Sequence, residues 1–189
     1  MEIEISRHDW RALRTFEGDG SHLPGALRRL AAARTTAEAG AAYWEIDNVV
    51  VIQGRLSQSA SAVVCCLMSA LATAAPPARD EIVSLIALIA NGYDEHVDID
   101  AVGPVRLAEI RQEVTRGFVF FAELLETTGH AACIELVAVC GLTDPLLRER
   151  AGYVLEAAAR LPKPARFSQV LANALAMVRD AADRPRAGC

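Results

Sequence analysis

The chain has 189 residues, of which 52% are hydrophobic and 5% aromatic, and its formal net charge is −5. A chain of this length can build one domain with a real core, and its abundant alanine, the best helix former, predicts an all-α protein. The negative charge argues against general nucleic-acid binding, which needs clustered basic side chains.

The sequence carries no sign of a membrane segment or a secretory leader. It contains no run of about 18 apolar residues, and the first ten residues, MEIEISRHDW, are polar and charged. Five cysteines are an odd number, which favours reduced, mostly buried thiols in a cytoplasmic protein over a disulfide framework.

The first half reads as a series of helices separated by Gly, Pro and capping residues. A short piece at 9–16 and a turn at 18–21 precede a helix at 24–34. Thr35 and Glu38 form a capping box that starts a helix through Gln53, with Gly54 at its left-handed C-terminal position. Ser57 starts the next helix, and a helix from Pro76 to about residue 90 is apolar nearly all round, which predicts a central position.

The second half continues the same pattern. Residues 91–104 form the longest loop-like stretch, and a long helix is predicted at 104–128. Shorter helices follow at 129–141, 143–161 and 165–183, with a frayed tail at 184–189. The prediction is therefore one all-helical domain over 1–189, in which residues 1–20 form an N-terminal cap segment.

Successive helices joined by short turns predict antiparallel helix pairs of about 35–40 residues, the length of α-solenoid repeats. The unit TDPLLRERAGYVLEAAARL, at 143–161, has an apolar stripe that needs a neighbouring helix to cover it. A HEAT-like α-solenoid is the predicted architecture, and a closed helical bundle is the alternative.

The stretch YWEIDNVVVIQG, at 43–54, holds the first candidate interface. On a helix, Trp44, Asp47 and Asn48 share one side. The favoured interpretation packs Trp44 between helix layers. The alternative places the three residues on a concave binding surface, where aromatic and polar groups form recognition patches.

The stretch YDEHVDID, at 93–100, holds the second candidate interface. A solvated acidic loop is its plainest interpretation, and contact with a basic partner or a hard cation are the alternatives. The spacing does not match a calcium-binding loop. The candidate interface residues here are Asp94, Glu95, His96, Asp98 and Asp100.

No catalytic, cofactor or metal site is predicted. The sequence contains no nucleophile elbow, phosphate-binding loop or dinucleotide fingerprint. His130, Cys133 and Cys140 are expected to be packing residues rather than zinc ligands, since zinc sites usually contain a Cys-x-x-Cys pair. Adjacent Cys65 and Cys66 point about 100° apart on a helix, so they are not expected to share a metal.

Several motifs over residues 8–90 resemble a group of bacterial HEAT-like repeat proteins. They are Trp-x-x-Leu at 10–13, Leu-Pro-x-x-Leu-x-x-Leu at 23–30, Val-x-x-Gln-Gly at 50–54 and the alanine-rich segment 60–71. The resemblance implies a protein-binding scaffold without enzymatic activity, and some such proteins act as immunity proteins against polymorphic toxins. A minority are DNA base-excision enzymes.

The functional prediction combines this resemblance with charge. Residues 1–100 hold 14 acidic and 8 basic side chains, and complementary charge speeds association with a basic protein. The predicted function is an immunity protein that neutralises a basic toxin. A HEAT-like DNA glycosylase or another nucleic-acid-binding protein is the first alternative, and a general scaffold unrelated to toxins is the second.

Overall fold

The computed structural model describes residues 1–95, 99–161 and 166–183. Within these residues the chain is all-α, with two short β-hairpins as its only strands. The elements of the first half are α1 (Glu2–Ser6), β1 (Arg14–Thr15), β2 (Gly18–Asp19), α2 (Leu23–Ala32), α3 (Thr36–Val50), β3 (Val51–Ile52), β4 (Arg55–Leu56), α4 (Ala60–Ala70) and α5 (Pro76–Ala90).

The remaining elements are α6 (Ile99–Val102), α7 (Leu107–Thr115), α8 (Phe118–Thr128), α9 (Ala131–Thr143), α10 (Arg148–Arg160) and α11 (Arg166–Asp183). The contacts divide the chain into two compact units, Met1–Glu113 and Val114–Cys189. The prediction of one domain over 1–189 stays a prediction, as does the choice between solenoid and bundle.

The core of the first unit lies among α2, α3, α4 and α5, and α1 packs on α4. Helix α5 is central, as its apolar sequence predicts, because Ile82, Leu85, Ile86 and Ile89 are buried on more than one side. Fully buried side chains from four elements form this core: Leu23, Leu27, Leu30, Ile46, Leu67, Ile82, Leu85, Ile86 and Ile89.

The capping box that starts α3 is confirmed. The Glu38 backbone N–H donates to Thr35 Oγ1 at 3.2 Å, and the Thr35 backbone N–H donates to Glu38 Oε2 at 3.1 Å. These bonds satisfy N–H groups that have no partner inside the helix. The carboxylate also accepts a bond from the Arg34 N–H at 2.9 Å. The pKa of Glu38 is lowered, because both backbone bonds favour the ionised form.

The predicted end of this helix at Gln53 is wrong. Helix α3 ends at Val50, and β3 pairs antiparallel with β4, with Ile52 opposite Arg55. Gln53 and Gly54, with φ of 53° and 80°, form the two-residue turn. Two left-handed residues are what a tight hairpin needs, so the glycine that suggested a helix end serves a hairpin instead.

The predicted start of the next helix at Ser57 is also displaced. The Ser57 N–H donates to Val50 O at 2.9 Å and continues the pairing beyond β4. Ser57 Oγ pairs with Ser59 Oγ at 2.9 Å in the buried interior. Since Ser57 is held by the hairpin, α4 begins at Ala60.

The N-terminal region also differs from the prediction. Residues 18–19, expected in a turn, form β2, which pairs with β1. Trp10 is buried, and its indole N–H donates to Ile5 O at 2.8 Å. The Phe16 N–H donates to Val49 O at 3.0 Å, which fastens this hairpin to the end of α3.

The long helix predicted at 104–128 is two helices, α7 and α8. Gly117 interrupts it, with φ −91° and ψ 3°, and its N–H donates to Val114 O at 3.0 Å. A bond that spans three residues closes a tighter final turn, and glycine has low helix propensity. Helix α8 then ends at Gly129, whose φ of 67° is the left-handed cap.

Helix α9 is the centre of the second unit and contacts α8, α10 and α11. A Cβ at Gly141 would lie 2.6 Å from Ala151 Cβ, so this glycine allows α9 and α10 to approach closely. Arg148 joins two helix C-termini, since its Nε donates to Gly141 O at 3.3 Å and its Nη1 to Ala181 O at 3.0 Å.

Candidate functional site

The predicted patch on α3 is solvent-facing. Trp44 is 58% exposed and Asn48 is exposed, while Asp47 is half-buried. The favoured interpretation of Trp44 as a packing residue is therefore wrong. Ile46, two residues later and about 200° around the helix, is fully buried, so Trp44 points away from the core.

The tryptophan is nevertheless held by a neighbour. Its ring meets Tyr43 edge-on, with ring centroids 5.2 Å apart and an interplanar angle of 86°. Burial raises the pKa of Tyr43 to about 12, with a smaller contribution from Asp47, and burial also raises the pKa of Asp47. The patch thus presents an aromatic face beside a partly desolvated carboxyl group.

The second predicted patch begins at the β3–β4 hairpin. The Tyr93 hydroxyl donates to Gln53 O at 2.6 Å, and the Tyr93 N–H donates to Gly54 O at 2.9 Å. The Leu56 N–H in turn donates to Tyr93 O at 3.1 Å. Three hydrogen bonds therefore clamp the start of the acidic segment to the hairpin turn.

The acidic side chains beyond this clamp face solvent where the structure describes them. Asp94, Glu95 and Asp100 are exposed, whereas the predicted residues His96 and Asp98 lie outside the described residues. Ile52 and Tyr93 add exposed apolar area at the hairpin, at 42% and 41% exposure. Tyr93, which bonds to the hairpin turn, directly precedes Asp94 and Glu95 in the sequence, so exposed apolar area and exposed carboxylates occur together here.

A groove between α8 and α10 was not predicted from the sequence. Its cavity measures about 390 Å³, and its apolar lining includes Val119 and Tyr153, which are 63% and 72% exposed. Leu161, at 40% exposure, lies at the end of α10. Large apolar side chains left in water at one groove are typical of binding surfaces.

The rim of this groove is acidic along α8. Glu123 and Glu126 line it, are exposed, and make no ion pair with any described residue. The groove extends past Tyr153 to Glu149 and Arg150, where the Arg150 guanidinium lies 5.1 Å from the Phe118 ring centroid. The spacing of Val119, Ala122 and Glu126 on one helix face is the sequence signal that was available for the groove.

A group of metal-ligating side chains was also not predicted. Glu4, His8 and Cys65 each place a donor atom within 4.8 Å of the other two. Glu4 and His8 are four residues apart at α1, and Cys65 comes from α4, which packs on α1. Burial, followed by the nearby Arg7 charge, lowers the pKa of His8. Cys65 comes 57 residues after His8 in the sequence, so local spacing gave no signal for the set.

The remaining cysteines behave as packing residues. Cys66, Cys133 and Cys140 are fully buried, and burial raises the pKa of both Cys66 and Cys140 to about 12. Cys140 Sγ lies 3.7 Å from Val114 O, to which it donates a weak hydrogen bond. These sulfurs fit the predicted packing role, and Cys189 lies outside the described residues.

No protein-family model, curated protein or solved structure matches the chain. Among the described helices, none is long and apolar enough to cross a membrane.

Proposed function

We propose that this chain is a non-enzymatic, HEAT-like protein-binding scaffold that holds a basic amphipathic helix of a partner protein in the α8–α10 groove. The observation that carries the proposal is the combination of exposed apolar side chains with an acidic rim. Val119 and Tyr153 are largely exposed in the groove, and Glu123 and Glu126 stand beside them.

The apolar lining supports a helix as the bound element. An amphipathic helix uses side chains at positions i, i+3, i+4 and i+7 to fill an apolar groove between two helices. Tyr153 lies in the middle of α10. Tyrosine has an aromatic body and a polar tip, and it is enriched among the residues that dominate interface energies. Burying it and Val119 would remove exposed apolar area from water.

The acidic rim supports a basic partner. Glu123 and Glu126 have carboxylates that no described cation pairs with, so lysine or arginine on the polar flank of a bound helix would complement them. Charges at the rim speed encounter and select partners more than they add affinity. The same carboxylates disfavour the phosphate backbone of a nucleic acid.

The more specific version of the proposal is an immunity protein that neutralises a cognate basic toxin in the bacterial cytoplasm. Two features support this version: the resemblance over residues 8–90, and the 14 acidic against 8 basic side chains in residues 1–100. This version can be tested strictly, because the partner should be encoded beside this chain and should harm cells that do not produce this chain.

The test uses the product of the adjacent gene as the probe. Co-expression should give a stable complex and restore growth. Tyr153→Ala should weaken the affinity by roughly tenfold or more, as expected for an interface hot spot. Leu146→Ala is the matched control, because Leu146 is 84% exposed but does not line the groove.

Each outcome separates two parts of the proposal. Absence of a complex and of growth rescue removes the toxin version. If Tyr153→Ala and Leu146→Ala bind the partner with equal affinity, the partner binds elsewhere and the groove is rejected as the binding site. Glu123→Gln with Glu126→Gln should slow association and flatten its salt dependence, whereas a DNA-binding protein would gain affinity from the same change.

A further inference from the structure

The Glu4, His8 and Cys65 side chains form a compact set of three different donors. Their ligand atoms lie within 4.8 Å of one another, and all three residues are partly buried. Helix α1 supplies Glu4, His8 lies two residues after its end, and the middle of α4 supplies Cys65. The set therefore spans the contact between two helices of the first unit.

The chemistry of these donors fits zinc. A carboxylate oxygen, an imidazole nitrogen and a thiolate sulfur are the three ligand types that Zn²⁺ takes in proteins. Tetrahedral Zn²⁺, with bonds of about 2.0–2.3 Å, holds its donors roughly 3.4–3.7 Å apart. The donors here lie within 4.8 Å of one another, so they need to approach by at most roughly 1.1–1.4 Å to reach this spacing.

The state of His8 is the second observation. Its Nε2 atom is buried and has no hydrogen-bond partner within the described part of the chain. A buried polar atom without a partner is costly, and such an atom in a folded protein calls for an explanation. A metal ion would satisfy it.

Arg7 opposes a cation at this position and must be accounted for. Its guanidinium donates to both Glu4 carboxylate oxygens, at 3.0 and 2.8 Å. This side chain is 63% exposed, so it can turn into solvent when a metal takes the carboxylate. The Glu4 side chain is 23% exposed, so the pair is only partly exposed. A surface ion pair of this kind contributes little to stability, so exchanging it for a metal ligand costs little.

We propose that Glu4, His8 and Cys65 bind one Zn²⁺ ion, with water as the fourth ligand. On binding, the Cys65 thiol gives its proton to solvent and its sulfur coordinates the metal, while neutral His8 coordinates through Nε2. The ion then links α1 to α4 and holds the N-terminal helix in place. This site belongs to the first unit and does not depend on the proposed groove function.

The test is a Zn²⁺ titration of the untagged full chain against a chromophoric zinc indicator. A Cys189→Ser background removes the C-terminal thiol as a competing ligand. The expected result is one bound Zn²⁺ per chain. His8→Ala and Cys65→Ser should each weaken binding by at least about tenfold, since even the loss of an outer partner of a ligand costs that much. His22→Ala, at an exposed histidine, is the matched control.

Two further measurements keep the proposal falsifiable if a variant is unstable. Co²⁺ in place of Zn²⁺ should give a thiolate-to-metal charge-transfer band that disappears in Cys65→Ser. Arg7→Gln should tighten Zn²⁺ binding, because it removes the competing cation without removing a ligand. Circular dichroism of each metal-free variant checks that it is folded.

Equal Zn²⁺ affinity in the parent chain and in folded Cys65→Ser would overturn the proposal. So would a Co²⁺ spectrum without a thiolate band, or a loss in His22→Ala as large as that in His8→Ala. Weaker binding in Arg7→Gln would show that this region is not a cation site.

Discussion

Gly54 in the β3–β4 turn offers the sharpest test of how the first unit is assembled. Its φ is 80°, and a Cβ added there would lie 2.8 Å from Tyr93 Cε1. Gly129 at the end of α8 has a similar φ of 67°, yet a Cβ there meets nothing within 4 Å. The two glycines share the left-handed backbone conformation and differ in the space around them.

Alanine in the left-handed conformation costs about 1–2 kcal/mol. Gly129→Ala should therefore lower the free energy of unfolding by about 1 kcal/mol. Gly54→Ala carries the same penalty and must also push the Tyr93 ring aside. That movement endangers the 2.6 Å bond from the Tyr93 hydroxyl to Gln53 O, whose net contribution is about 1 kcal/mol. We expect a total loss of roughly 2–3 kcal/mol.

Urea denaturation followed by circular dichroism measures both losses, and a double-mutant cycle identifies their cause. In a Tyr93→Ala background the ring is absent, so Gly54→Ala should cost only about 1 kcal/mol, the backbone strain alone. The coupling between the two substitutions should then be about 1–2 kcal/mol. If Gly54→Ala costs the same in both backgrounds, the contact with Tyr93 does not determine its effect and the reasoning fails.

Three further predictions concern stability and the acidic segment. Thr35→Ala removes the side-chain half of the capping box and should cost about 1 kcal/mol in urea denaturation; an unchanged midpoint would contradict the role of the cap. The pKa of Glu38 in the folded protein is lowered from 4.5, so the stability that the ionised carboxylate adds is present above that value and is lost as the pH falls through the folded pKa. Glu38→Gln should therefore melt at a lower temperature than the parent protein at neutral pH and at the same temperature in acid. A difference that persists in acid would refute this assignment. Replacing the acidic side chains of the second predicted patch by amides should weaken binding to a basic partner and flatten its salt dependence with little change in stability; unaltered affinity would return the segment to a solvated surface. The residues changed are Asp94, Glu95, Asp98 and Asp100.

Local chemistry was enough to predict some features of the fold. The capping box needs only residues 35–38, and the two prolines at 76–77 fix the start of α5 through their own backbone restriction. The all-round apolar sequence of α5 also correctly predicted its buried position. Each of these signals lies within one or two turns of helix, so the sequence contains the whole interaction.

The error at the end of α3 has a different origin. A glycine with positive φ serves a helix C-terminus and a hairpin turn equally well, so Gly54 alone does not distinguish them. Val51 and Ile52 are β-branched, a residue type that is enriched in strands, and the structure follows this local preference rather than the predicted helix. The strand forms because β4, on the other side of the turn, pairs with it, and sequence reasoning that considered only the helix end did not include this partner.

Local spacing on one helix was not enough to predict the groove or the donor set, because each is completed by a second helix. Val119 and Tyr153 face one groove only because α8 and α10 lie side by side. Glu4 and Cys65 approach each other only because α1 packs on α4. Single-sequence periodicity identifies which face of a helix is apolar, but it does not identify the helix that the face meets.

The hairpin also connects the two interface patches that were predicted separately. Asn48 lies three residues before β3, with no linker between them, and Tyr93 bonds directly to the turn that follows. The chain thus runs from the exposed face of α3 into the hairpin, whose turn holds the start of the acidic segment. Because Gly54→Ala should displace Tyr93 without changing any charge, it should move Asp94 and Glu95 while leaving their charges intact. A partner that contacts these carboxylates should therefore bind this variant more weakly, and the loss would be due to geometry rather than to electrostatics.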